Sequence, residues 1–346
     1  MVTLKELLGI ELPIIQAPMA GAQGSAMAIA VSKAGALGSL PCAMLTPEQL
    51  HAEMSAIGAA TDKPCNVNFF CHDPPAPGSE REAAWRAALR PYFREYGLDL
   101  EKIPAGPTRA PFSADAADVL EQFKPAVVSF HFGLPSAPLL RRVKTWGAKV
   151  LSTATTVQEA CWLEAHGVDA IIVQGLEAGG HRGMFLTQDL TTQIGTFALL
   201  PQVAQAVGVP VIAAGGIATP RGVAAAMALG AAGVQIGTSY LLCLEAIISS
   251  VHRVALQSDA ARHTALTNVF TGRPARGIVN RIVRELGPMS NVAPQFPLAG
   301  AALAPLRAAA ESRGRGDFSP LWSGQNASGC KEVSAADLTR ELANGL

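Results

Sequence analysis

Pro210-Val211-Ile212-Ala213-Ala214-Gly215-Gly216-Ile217-Ala218-Thr219-Pro220 contains the signal that decides the fold of this chain. Val211–Ala214 is a short, unbroken apolar run, as expected of a strand buried on both faces. Gly215-Gly216 makes a tight turn, and Thr219-Pro220 reads as an N-cap followed by proline at the first helical position. An alanine-rich helix over 220–229 follows, and then a second apolar run, Gly233-Val234-Gln235-Ile236-Gly237-Thr238. One strand, one helix and two short loops thus occupy 23 residues. Outward from this unit, similar runs begin near Ile14, Leu37, Cys65, Ala126, Ala148 and Ala170, and five of the seven spacings lie between 22 and 28 residues. Segments 25–34, 47–60 and 156–166 between them have helical character.

Eight such units predict an α/β fold, a parallel (β/α)8 TIM barrel. The competing fold is an open doubly wound sheet, which the even spacing and the lack of a G-x-G-x-x-G fingerprint disfavour. The two long spacings predict insertions after strands three and six, on the face where barrel loops build sites. Residues 71–113 are proline-rich with a helix over 79–96, and after residue 246 the repeat stops. The expected division is a barrel over 1–246, with a lid and closing helices over 247–346. The lid falls within 271–300 and the helices over 301–313 and 334–346.

Of the 346 residues, 49% are hydrophobic, ample for a large core. Lysine and arginine total 27 against 27 acidic residues, with no long run of either sign, so no nucleic-acid partner is expected. Six cysteines without C-x-x-C spacing fit a reduced intracellular protein. Met1–Glu6 is not a signal peptide, and no apolar run approaches the ~18 residues of a membrane span. The expectation is a cytoplasmic protein without membrane association, either monomer or homodimer.

The strand ends supply Ala17-Pro18-Met19, Asn68, Ser129, His131, Thr153, Gln174, Gly215-Gly216 and Gln235-Ile236-Gly237-Thr238. Amides, hydroxyls and glycines of this kind hydrogen-bond a polar planar ring and a phosphate without adding charge. Gly215-Gly216 and Gly237-Thr238 follow the seventh and eighth strands, where barrels commonly bind phosphate. Glycine pairs also make plain βα turns, and Asn68 or Gln174 taken singly can be a satisfied core amide. After the sixth strand, Glu177-Ala178-Gly179-Gly180-His181-Arg182-Gly183 combines close backbone approach with one imidazole suited to proton transfer. His131 and His181 lie on separate loops without clustered carboxylates, so no metal site is expected. His51, His166, His252 and His263 fall in expected helices as surface or packing residues.

Pro13–Met19, Asn66-Val67-Asn68-Phe69-Phe70-Cys71-His72, Ser129-Phe130-His131-Phe132-Gly133, Glu177–Gly183, Ala213–Ile217, Gln235–Thr238 and Leu321-Trp322-Ser323-Gly324-Gln325 together resemble bacterial nitronate monooxygenases of class I, formerly called 2-nitropropane dioxygenases. The resemblance covers nearly the whole chain. It implies an FMN-containing barrel that oxidises an alkyl nitronate, such as propionate 3-nitronate, with O2 to a carbonyl product and nitrite. His181 matches the catalytic histidine, and His131, with Arg182, is expected at the substrate. Ala17, Pro18, Met19, Asn68, Gln174, Gly179, Gly180, Gly215, Gly216, Gln235, Ile236, Gly237, Thr238 and Gln325 are expected at the cofactor.

On the substrate side the chain departs from the pattern. Phe296, Gly300, Ala304 and His252 stand where the family carries tyrosines and a lysine, so a bulkier or less polar nitronate, or a different oxidisable substrate, is expected. Two rival readings remain: an NAD(P)H-dependent FMN reductase of quinones or enoyl thioesters on the same barrel, and a flavin-binding protein without turnover.

Overall fold

The computed structural model describes residues 3–75, 79–103 and 109–346. Met1 and Val2 of the N-terminal reading, and residues 76–78 and 104–108 of the insertion after the third strand, lie outside the described residues. Eleven strands occur among the described residues: β1 (Ile14–Gln16), β2 (Gly38–Pro41), β3 (Cys65–Phe70), β4 (Val127–His131), β5 (Lys149–Ala154), β6 (Ala170–Gln174), β7 (Gly180–His181), β8 (Val211–Ala214), β9 (Gly233–Ile236), β10 (Thr264–Thr267) and β11 (Ala275–Ile278).

Eight of them form one parallel sheet in the order β1-β9-β8-β6-β5-β4-β3-β2. The ends meet at the parallel bridge Ile15↔Leu37, where Gln16 N–H donates to Leu37 O and Leu37 N–H to Ile14 O, each at 2.9 Å. That pairing closes the sheet into the expected (β/α)8 barrel. Helices follow the strands where the alanine-rich segments predict them: Ser25–Lys33, Pro47–Ala60, Val157–Ala165 and Pro220–Ala228. At the last of these the Thr219 side chain accepts from Gly222 N–H, capping the helix with Pro220 in its first turn.

Strand parity sorts the side chains. Ile15, Leu37, Val127, Leu151, Ala170, Ile172, Ile212 and Ala214 point inward and form the barrel's interior with Leu4 and Leu8 of the helix Leu4–Leu8. Their neighbours Ile14, Val67, Phe69, Val128, Phe130, Val150, Ile171, Val173, Ala213, Val234 and Ile236 face the helices. The inward residue nearest a strand's C-terminal end therefore points to the barrel mouth.

Both insertions are present. The one after β3 contains the helix Ser79–Tyr96, and the one after β6 contains β7. β7 pairs antiparallel with β11, and β11 with β10, in a small second sheet. The C-terminal helix Ala299–Glu311 packs against Ser79–Tyr96 in a separate apolar cluster of Trp85, Leu89, Phe93, Leu303, Leu306 and Phe318. Trp85 is 1% exposed and donates from Nε1 to Ala299 O at 3.1 Å. Removing such a buried indole costs roughly 3–5 kcal/mol, so the two added segments form a firmly joined wall over one side of the mouth. Ala335–Ala343 closes the chain, with Tyr240 Oη and Thr339 Oγ1 2.8 Å apart.

Candidate active site

A cavity of about 370 Å3 opens at the C-terminal ends of the strands, a size suited to a small ligand. Ala17, Pro18, Met19, Asn68, His131, Gln174, Gly179, Gly180, His181, Gly215, Gly216, Gln235, Gly237 and Thr238 all line it. Trp322, Ser323 and Gly324 join them from the C-terminal segment. Three expected residues do not line it. Ile236 is one residue out of phase with Gln235 and lies in the outer core. Gln325 contributes a backbone bond to Glu177 O at 2.9 Å.

Arg182 is the third and requires a correction. Its side chain is fully buried, with Nε donating to Gln193 Oε1 at 3.0 Å and the two terminal nitrogens donating to Gly175 O (2.7 Å) and Gln174 O (2.9 Å). Burial, helped by the like charge of Arg276, lowers its pKa to about 10, which leaves it protonated at neutral pH. With its donors spent on the turn after β6, Arg182 braces the loop and cannot reach a substrate in the cavity.

The same loop is held from several sides. Gln174 donates from Nε2 to His181 O (2.9 Å) and accepts from Gly183 N–H (2.8 Å), so both ends of its amide serve the loop. Glu159 accepts from Phe185 and Leu186 N–H, and Glu177 accepts from Thr196 N–H and Oγ1–H. A Cβ at Gly183 would lie 2.6 Å from Thr153 Cγ2 and 2.8 Å from His131 Cε1, so only glycine lets the loop pass this close to β4 and β5.

These restraints set two imidazoles side by side. His131 Nε2 faces the His181 carbonyl at 3.2 Å and must donate to it, which makes Nδ1 the acceptor of the Thr153 hydroxyl at 3.0 Å. Burial lowers the His131 pKa to about 3, against the raising effect of its bond to His181 O. His181 Nε2 is 3.0 Å from Thr271 Oγ1, and its ring packs near Phe296 and Trp322. Burial first, then the positive charge of Arg109, holds its pKa well below the ordinary histidine range. Both rings are therefore neutral at physiological pH, hydrogen-bonding groups that bring no charge of their own.

The remaining histidines divide. His51, His166 and His263 are exposed. His252, on the helix Ser250–Gln257, is buried and lines the cavity, with Nε2 3.0 Å from Trp322 O. Two arginines not foreseen in the sequence, Arg109 and Arg307, also line the cavity. Neither stands in a recognisable motif: Arg109 lies in the insertion, and Arg307 pairs with Glu311 one helical turn on, like any surface ion pair. Phe296 packs within an aromatic group, its ring centroid 4.7 Å from His72 and 5.5 Å from Phe132. No Asp or Glu is among the described lining residues. No group of three or more His, Cys, Asp or Glu side chains suited to a metal ion occurs among the described residues either.

The site is thus the mouth of a (β/α)8 barrel lined by amides, glycines, neutral imidazoles and guanidinium groups, at the face where such barrels carry their active sites. The profile of the Nitronate monooxygenase family matches residues 2–345, and the chain belongs to that family. A nitronate monooxygenase of Pseudomonas aeruginosa is 42% identical, covering 98% of this chain and 97% of the relative. The crystal structure of a nitroalkane oxidase from Streptomyces ansochromogenes superposes with a TM-score of 0.88 at 37% identity, covering 98% of this chain and 96% of that one. FabK from Thermotoga maritima is more distant, with a TM-score of 0.72 and 28% identity over 99% of this chain and 95% of its own.

Proposed function

We propose that this protein oxidises alkyl nitronates with O2 at a bound FMN, releasing a carbonyl product and nitrite. Membership of the nitronate monooxygenase family carries the reading, and the cavity's chemistry supports it. Gln235 lines the cavity with a buried Oε1 that has no hydrogen-bond partner, an acceptor suited to the imide N–H of a flavin ring. Gly215 (φ +121°) and Gly216 (φ +72°) follow β8 in conformations that favour glycine and present backbone to the cavity, where N–H groups suit a phosphate-bearing chain. No carboxylate is among the described lining residues, and the Glu177 carboxylate behind Gly215-Gly216 accepts from the Thr196 N–H and hydroxyl.

On this reading Ala17, Pro18, Met19, Asn68 and Gln235 hold the ring. Gly179, Gly180, Gly215, Gly216, Gly237 and Thr238 hold the ribityl chain and phosphate. Bound FMN supplies an acceptor for single electrons and reactivity toward O2. The protein's own contribution is orientation and charge. His181 presents a neutral imidazole at the reacting end and donates from Nδ1 to a nitronate oxygen, its Nε2 accepting from the Thr271 hydroxyl. His131, whose own bonds to Thr153 and the His181 carbonyl are already made, fixes the position of that residue. Phe70, Phe296 and Trp322 keep the imidazole of His181 in apolar surroundings, where a hydrogen bond to an anion is stronger than in water.

The test is an anaerobic absorbance spectrum of the purified protein before and after propionate 3-nitronate, with NADH in a parallel cuvette. A flavin spectrum that changes with the nitronate and not with NADH is expected. Bleaching by NADH alone would replace this reading with the NAD(P)H-dependent reductase.

A further inference from the structure

Thr271 lies on the connection between β10 and β11, and β11 pairs with β7 at Ala275↔His181, so one small sheet carries both Thr271 and His181. Thr271 is 2% exposed, and its hydroxyl oxygen stands 3.0 Å from His181 Nε2 and 3.4 Å from Arg273 O. The turn that presents it is closely held. Gly272 N–H donates to Asn268 O at 2.7 Å, and a Cβ on Gly272 (φ +90°) would lie 2.1 Å from Pro294 O. His181 Nδ1 has no hydrogen-bond partner among the described residues, which leaves it as the ring nitrogen available to a ligand in the cavity that His181 lines.

A buried hydroxyl has one proton to place. The Arg273 carbonyl, at 3.4 Å, is beyond the roughly 2.5–3.0 Å of an O–H···O bond, whereas His181 Nε2 is within reach. Were the hydroxyl to accept a proton from Nε2 instead, its own would find no good acceptor among the described residues, and an unmade buried hydrogen bond is costly. A neutral imidazole that accepts at one nitrogen carries its proton on the other. We infer that Thr271 is a positioning residue that holds His181 in the Nδ1–H tautomer and so aims a hydrogen-bond donor at the substrate. Free neutral histidine prefers the opposite form, with the proton on Nε2, and in that form a lone pair on Nδ1 would face the anionic oxygen. The tautomer follows from the hydrogen bonds alone, while its use on a nitronate rests on the function proposed above.

The test is nitrogen-15 NMR of the FMN-loaded protein labelled at histidine, which separates protonated from bare ring nitrogens, with His181 assigned by its absence in His181→Asn. In the wild type and in Thr271→Ser the His181 proton is expected on Nδ1, and in the isosteric Thr271→Val most of it moves to Nε2. The His131 signal, its proton held on Nε2 by the His181 carbonyl, should be the same in all three and reports that the site remains folded. A wild-type proton on Nε2, or the same tautomer in Thr271→Val as in the wild type, overturns the inference. Steady-state kinetics with propionate 3-nitronate gives a second readout. Thr271→Val should lower kcat/KM roughly fivefold or more, mainly by raising KM, because the nitronate is most negative before it is oxidised, and Thr271→Ser should stay within about twofold of the wild type. An unaltered KM in Thr271→Val, or an equal loss in Thr271→Ser, overturns the positioning role. If the wild type turns over no nitronate, the functional reading fails and the NMR alone decides the tautomer.

Discussion

The two ends of the cavity are built in different ways. At the glycine end, Gly215, Gly216, Gly237 and Thr238 each follow a barrel strand within one repeating unit, and their positions are set by neighbours a few residues away. At the histidine end, His181 is placed by β11, by Gln174 and by Thr271, and the arginines come from separate additions to the barrel. The first end is made by local turn chemistry and the second by long-range pairing. A barrel can thus keep its glycine turns while the opposite wall is rebuilt.

The largest expected effect falls on the histidine end. His181→Asn should lower kcat/KM for the nitronate by roughly 10²–10⁴-fold while the flavin absorbance per mole of protein stays at the wild-type level. Loss of flavin together with activity would show that the two ends are not separable.

Arg182→Met comes next. It leaves the Gln174 carbonyl and Gln193 Oε1 without the donors Arg182 gives them, while Gly175 O keeps Ala178 N–H, and each unsatisfied buried acceptor costs roughly 1–3 kcal/mol. Urea denaturation should show the loss. Wild-type stability with altered KM would instead return Arg182 to the substrate.

Acid stability bears on the same wall. Burial lowers the pKa of His131 to about 3 and those of His72 and His252 to about 4, and depresses His181 as well. Because these folded-state values lie below the unfolded value near 6.5, the unfolded chain takes up protons that the native protein refuses. Stability is then complete above about pH 6.5 and falls as the pH drops toward 4, by about 2 kcal/mol per histidine at pH 5. Denaturation midpoints at pH 7 and pH 5 test this, and His72→Asn should reduce the slope. A flat profile would mean that these rings are not buried neutral.

The smallest effect belongs to a single acceptor for the flavin ring, between the two ends. Gln235→Leu removes one acceptor and should weaken FMN binding by about 1 kcal/mol, several-fold in Kd, read by flavin fluorescence on dilution. Unchanged affinity would take Gln235 out of the cofactor site.

The same division explains what was legible in the sequence. Strand spacing, the Thr219-Pro220 cap and the strand-end residues are local signals, so the barrel, its insertions and most of the cavity's floor could be read directly. The Ile236 side chain does not line the cavity because adjacent residues of a strand face opposite sides, and a motif quoted as a run includes both. Arg182 was misassigned because nothing in Gly180-His181-Arg182-Gly183 tells which of two neighbouring polar side chains turns inward. Arg109 and Arg307 were invisible, since their meeting depends on how the Ser79–Tyr96 and Ala299–Glu311 helices pack, a contact spanning some two hundred residues of chain.

The pairing of β7 with β11 also has a bearing on synthesis. During translation the eight barrel strands have emerged by Ile236, yet the partner that aligns His181 arrives with Ala275–Ile278, and the wall residue Trp322 later still. At ribosomal rates, residues 237–322 take on the order of ten seconds to appear. Throughout that interval all eight barrel strands have been synthesised but the residues that align and wall His181 have not, so the histidine end of the cavity is the last part of the site to be completed.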